Sequence, residues 1–138
     1  MRNAPLLAGA ALALSVTCGY PVLADGDANG REVFESLCLS CHPAERTPTL
    51  SAPPIFAVKD HYLRTHPTRE AFIARLSTWL ERPDPNASLM PGALRRFGTM
   101  PRQELNAQQR RAVAAFLYDT PMEQPGWYRE HYRKEHGK

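Results

Sequence analysis

The sequence predicts an all-α fold of four to five short helices. Two observations carry this. No Val/Ile-rich alternating stretch marks a strand anywhere after the first two dozen residues, whereas apolar residues recur at helical spacing in several short segments. Thirteen prolines in 138 residues then cut those segments apart and require irregular connections between them. The length allows one domain and excludes a repeat array or a multi-domain enzyme. With 43% apolar and 22% charged residues the chain is globular, and a net charge of +3 is too small for a nucleic-acid footprint.

Residues 1–24 stand apart. Met1-Arg2-Asn3 is followed by an apolar run from Ala4 to Val16, and small residues lead to Ala24 before Asp25. This is the pattern of a secretory signal peptide, with cleavage expected after Ala24. The run is short for a membrane span, so the membrane enters only if the signal stays uncleaved. Cys18 lacks the flanking residues of a lipoprotein site and leaves with the signal. The expected destination is the periplasm, an oxidising compartment where two remaining cysteines would ordinarily pair.

Those two are Cys38 and Cys41, in Cys38-Leu39-Ser40-Cys41-His42. C-x-x-C-H is the attachment signature of c-type haem. Cysteines three apart lie on adjacent turns of one helical face and can reach the two vinyl groups on one porphyrin edge. The next residue, His42, can then bring its imidazole under the iron. A thioredoxin-like pair would need a βαβ context, and a structural zinc site would need a second cysteine pair.

The elements follow in order. A first helix is expected over 30–41, with Val33, Phe34 and Leu37 on one face, ended by Pro43. Residues 43–54 form a Pro-, Thr- and Ser-rich loop. A short helix covers about 56–64; its His61, and His66 beyond it, read as surface or loop histidines. Thr68 caps a helix running to Glu81, whose stripe is Phe72, Ile73, Leu76, Trp79 and Leu80. Trp79 is either a donor to a haem propionate or a core aromatic. A short helix near 92–97 ends in a turn at Gly98. Asn106 with Gln109 forms a capping box for a last helix over 107–119.

With these motifs in place, the chain resembles a class I c-type cytochrome of the small periplasmic monohaem kind, from about Gly30 to Asp119. Gly30 and Phe34 stand eight and four residues before Cys38, as in the family's first helix. Ala112 to Tyr118, with Phe116, resembles the helix that crosses it. Met100-Pro101 resembles the segment that supplies the second axial ligand. The loop after the motif departs from the pattern: Pro43-Ala44-Glu45-Arg46 lacks the usual glycines.

The resemblance implies a cytochrome c fold around one covalent haem c, held by Cys38 and Cys41, with His42 as proximal ligand. Met100 is the expected distal ligand and Met90, also followed by proline, the alternative. Pro53 or a neighbour should accept from the free N–H of His42. Ile55, Phe56, Phe72, Leu76, Leu94 and Phe97 are expected to shield the haem. Arg95, Arg96 and Arg102 flank the Met100 loop, where they could meet propionates, steer an acidic partner, or form a solvated face.

The implied function is one-electron shuttling between periplasmic redox proteins, one donor and one acceptor, with no catalytic residue. Two other classes stay open. One is a haem enzyme or gas sensor with a displaceable distal ligand. The other is a dedicated subunit of a periplasmic dehydrogenase or oxidase. The sequence divides into the signal over 1–24, a cytochrome domain over 25–120 and an extension over 121–138. That extension holds Trp127, Tyr128, Tyr132, His131 and His136, and reads as a partly helical, surface-docked segment rather than a metal site.

Overall fold

The computed structural model describes residues 25–45 and 49–137. The signal-peptide reading over 1–24, Cys18 included, lies outside the described residues. Among the described residues there are six α-helices and no strand. None of those helices is long and apolar enough to cross a membrane.

Helix α1 spans Asp25–Val33 and runs on without a break into a π-helical turn, Phe34–Cys38. The Leu39 N–H closes that turn by donating to the Phe34 carbonyl at 3.0 Å. The helix therefore starts before the expected residue 30, and its α-helical pitch ends before Cys41. The early start runs against propensity, because Gly26 and Gly30 both weaken a helix. Packing explains the glycine at position 30. At Gly30 a Cβ would lie 2.3 Å from the Ala112 carbonyl oxygen and 2.9 Å from the Phe116 Cβ, so only glycine lets the two backbones approach. One turn on, the Phe34 and Phe116 rings meet at 5.7 Å.

Helix α2 covers Ile55–Thr65 and α3 covers Arg69–Glu81. The Thr68 hydroxyl caps α3 by accepting from the Ala71 N–H at 3.3 Å. After a single 3₁₀ turn at Pro85–Ala87, α4 covers Pro91–Phe97 and stops at Gly98, whose φ is +77°. Helix α5, Ala107–Asp119, opens with the expected capping box: Asn106 accepts from the Gln109 N–H at 2.8 Å, and the Gln109 side chain accepts from the Asn106 N–H at 3.0 Å. Helix α6, Gly126–His136, closes the described chain.

The core lies where α5 packs on α1 and α3. Phe72, Val113 and Ala114 are almost fully buried there. Phe72 meets Tyr62 at 5.8 Å and Tyr118 at 5.4 Å, edge to face. From α2 the Lys59 ammonium donates to the Tyr118 and Thr120 carbonyls at 2.8 and 2.6 Å, satisfying the C-terminal end of α5.

Helix α6 lies on α2. Tyr128 is buried against Phe56, ring to ring at 5.1 Å, with Met90 packed beside them. Beneath this contact sits Asp60, the one buried charged residue among those described. Its carboxylate accepts from Arg64 Nε at 2.8 Å, Gln124 Nε2 at 2.8 Å and the Tyr128 hydroxyl at 3.1 Å. A buried carboxylate requires such partners, and two of the three come from the chain at or just before α6.

Candidate functional site

A deep cleft opens between the Cys38–His42 segment and helices α2 to α5. Its walls are apolar: Ile55, Val58 and Tyr62 from α2, Leu76, Trp79 and Leu80 from α3, Leu94 and Phe97 from α4, Val113 and Leu117 from α5. The space they enclose, counted out to the open mouth, is about 1120 Å³. That suits a large, mostly apolar ligand. Leu37 at the rim and Leu39 within the motif are exposed apolar side chains, at 43% and 40%.

Five sequence-selected residues line this one cleft: Cys38, Cys41, His42, Met90 and Met100. The backbone turns sharply at the motif, with the Cys41 and His42 N–H groups both donating to the Cys38 carbonyl, at 3.1 and 2.8 Å. Both thiols are free. Burial, aided by Cys41, pushes the Cys38 thiol up to about 11, so it stays protonated rather than becoming a metal-binding thiolate.

His42 Nδ1 lies 2.7 Å from the Pro53 carbonyl oxygen, the acceptor expected from the sequence. A carbonyl can only accept, so Nδ1 carries the proton and Nε2 keeps a free lone pair. Burial holds the His42 pKa below its ordinary value, against the raising effect of the Pro53 contact, which favours the neutral, ligating ring. The two ends of the glycine-poor loop are joined by a backbone bond. The Ile55 N–H donates to the Pro43 carbonyl at 3.1 Å, bringing Pro53 across the motif.

On another wall the Trp79 indole N–H donates to Met100 Sδ at 3.4 Å. Trp79 also packs against the core, as one of its two expected readings has it, and the bond to Met100 is a contact that neither reading included. Two expected shielding residues are elsewhere. Phe56 faces α6, because Tyr128 covers it, and Phe72 is sealed between Tyr62 and Tyr118. Ile55, Leu76, Leu94 and Phe97 do line the cleft. Val58 and Tyr62 were not singled out from the sequence, although they continue the stripe begun at Ile55 at spacings of three and four.

The remaining candidates stay outside. Arg95, Arg96 and Arg102 are exposed, and Arg96 lies over the Phe97 ring at 5.0 Å. His61 belongs to the α2–α6 contact, where its Nδ1 faces the Ala57 carbonyl at 2.8 Å. His66 Nδ1 contacts the Thr65 hydroxyl at 2.8 Å. His136 stacks on Tyr132 at 4.2 Å and comes within 5.5 Å of His61, a proximity that sequence spacing did not reveal. His131 is exposed. Among the described residues no three His, Cys, Asp or Glu side chains gather into a metal site.

The cleft therefore fits a covalently held haem on its own chemistry. It offers two free thiols at one edge, a neutral imidazole aimed by a carbonyl, two methionines in its lining and apolar walls. Comparisons with curated proteins and with solved structures gave no match. The family model for cytochrome c matches residues 28–121, a stretch that contains the C-x-x-C-H motif, both cleft methionines and the α1–α5 crossing. On that match the chain belongs to the cytochrome c family, an electron-transfer protein with covalently bound haem c.

Proposed function

We propose that the protein is an exported one-electron carrier with a His/Met-ligated haem, moving electrons between periplasmic redox proteins. In this reading residues 1–24 are removed on export, residues 25–120 form the cytochrome domain and residues 121–138 an added segment. Cys38 and Cys41 form the thioethers, His42 is the proximal ligand and Met100 the distal one. The observation that carries the reading is the convergence of these four side chains on one apolar cleft, with His42 turned by Pro53.

Bound haem supplies a one-electron iron couple, and imidazole–thioether ligation gives it a higher potential than two imidazoles would. The chain does the rest. The Pro53 carbonyl fixes the ring of His42. Leu76, Leu94 and Phe97 would keep water from the iron. Trp79 donates to the Met100 sulfur and holds it in the cleft. Were His42 and Met100 both to hold the iron, peroxide or a gas would find no open site, which favours a carrier over an enzyme or a sensor.

Met90 is the competing ligand, since it lines the same cleft. Met100 is preferred because a donor holds its sulfur, whereas Met90 packs towards Phe56 and Tyr128. Visible spectra of the exported protein decide the matter. We expect the weak far-red band of Met-bound ferric haem, no CO shift in the reduced form, loss of the band in Met100→Ala and its retention in Met90→Ala. The opposite pattern in the two variants would move the ligand to Met90. A high-spin spectrum that binds CO would replace the carrier with an enzyme or sensor. Mass measurement of the exported chain tests cleavage after Ala24.

A further inference from the structure

A second cleft lies where α6 meets α2, away from the haem motif. It is lined by Arg64, Gln124, Tyr128, Arg129, Tyr132 and Arg133. We propose that this cleft is a binding site for a multivalent oxyanion, a ligand bearing phosphate or carboxylate groups.

Three guanidinium groups border one concavity. Arg64 is already committed: its Nε holds the buried Asp60 carboxylate at 2.8 Å, and its plane lies 4.0 Å over the Tyr132 ring. The Asp60 charge is thus matched by Arg64 and does not cancel the other two. Arg129 and Arg133 stand one turn apart on α6, and neither forms an ion pair among the described residues. Like charges at that spacing repel each other and weaken a helix. The acidic Glu130 of the same helix pairs instead with Lys134 at 2.9 Å. The cleft therefore keeps two uncompensated positive charges beside a third that is fixed in place.

Guanidinium forks match the paired oxygens of phosphate and carboxylate, which names the ligand class. Gln124 and Tyr128 hold the floor rigid through Asp60, so the site is formed before a ligand arrives. Such groups could come from a free anion or from acidic side chains on another protein.

The test uses haem-loaded protein at low ionic strength. Inorganic phosphate and a hexaglutamate peptide are each titrated, with NMR shifts of α6 amides and calorimetry as readouts. Saturable binding should appear for at least one probe and weaken about tenfold or more in R129Q/R133Q. The control R82Q/R111Q removes the same charge at two exposed arginines outside both clefts, and should bind as the parent does. Phosphate binding would identify a free-anion site. Binding of the peptide alone would identify acidic protein side chains. No saturable binding of either probe, or equal weakening in both double variants, would overturn the proposal. An unchanged haem spectrum and helix signal in R129Q/R133Q separate lost binding from lost folding.

Discussion

Trp79 donates to Met100 Sδ, and that one bond bears on the potential of the proposed iron site. A donor on the sulfur withdraws electron density and disfavours ferric iron. A hydrogen bond of this kind contributes about 1 kcal/mol, so the part of it lost on oxidation shifts a one-electron couple by at most about 40 mV. Trp79→Phe keeps an aromatic of the same character and removes the N–H. We expect its midpoint potential to fall, by no more than that amount, while the far-red band survives. A potential equal to the parent's would show that the N–H has no hold on the ligand. The residues of this site were unequally legible. His42 could be given its role from the motif, and its acceptor at Pro53 or a neighbour from the family resemblance, which implies a proline there. Trp79 could be put on the apolar stripe of α3, but its partner is 21 residues away and local pattern carries no information on such a contact.

Elements whose ends are set by local chemistry were read nearly to the residue. Thr68, Gly98 and the Asn106–Gln109 box delimit α3, α4 and α5. The start of α1 was not: the helix begins at Asp25, five residues before the expected start; and the covering of Phe56 by α6 is tertiary. Gly30 tests the α1–α5 crossing. Gly30→Ala should gain about 1 kcal/mol of helix propensity, yet its methyl would collide with the Ala112 backbone carbonyl, which cannot swing away. Overpacking of this sort costs about 1–3 kcal/mol or more, so urea midpoints should fall; a more stable variant would refute the close crossing. The α2–α6 contact carries a pH dependence. Burial holds His61 below its ordinary 6.5, helped by His136 and Arg64 and opposed by the Ala57 carbonyl and Asp60. The unfolded segment then takes a proton at higher pH than the docked one, so this contribution is full above 6.5 and lost as pH falls below it. Asp60 adds the same sign at lower pH. Burial raises its pKa, but the Arg64, Gln124 and Tyr128 hydrogen bonds bring it below 3.8, so its contribution goes only as pH falls beneath that value. Amide protection factors in α6, referred to the intrinsic exchange rate at each pH, should fall between about pH 7 and 5 while those of α3 and α5 hold. An equal fall throughout would assign the effect to the whole fold.

At the scale of the molecule, the haem cleft is not a groove in a finished body. Four helices and the C-x-x-C-H segment each contribute a wall, and the side chains along them are mostly apolar. Among the described residues, core that stays clear of the cleft gathers around Phe72 and Ala114 and, between α2 and α6, around Phe56 and Tyr128. Helix α4 has no fully buried residue of its own, and its Leu94 and Phe97 face the cleft. A domain this small has little apolar area to spare, so the cofactor must complete the core. Cys38→Ala with Cys41→Ala blocks covalent attachment while leaving every other wall residue unchanged. That chain should lose most of its far-UV helical signal and its cooperative melting, and the loss should be greatest in α4 and the Met100 segment, which have the fewest contacts elsewhere. The α1–α5 crossing, which Gly30 and Phe34 hold without help from the cleft, should be the last contact to persist. A double variant with parental helix content and a sharp thermal transition would mean that the protein core closes by itself, and that haem is a guest rather than a part of the fold.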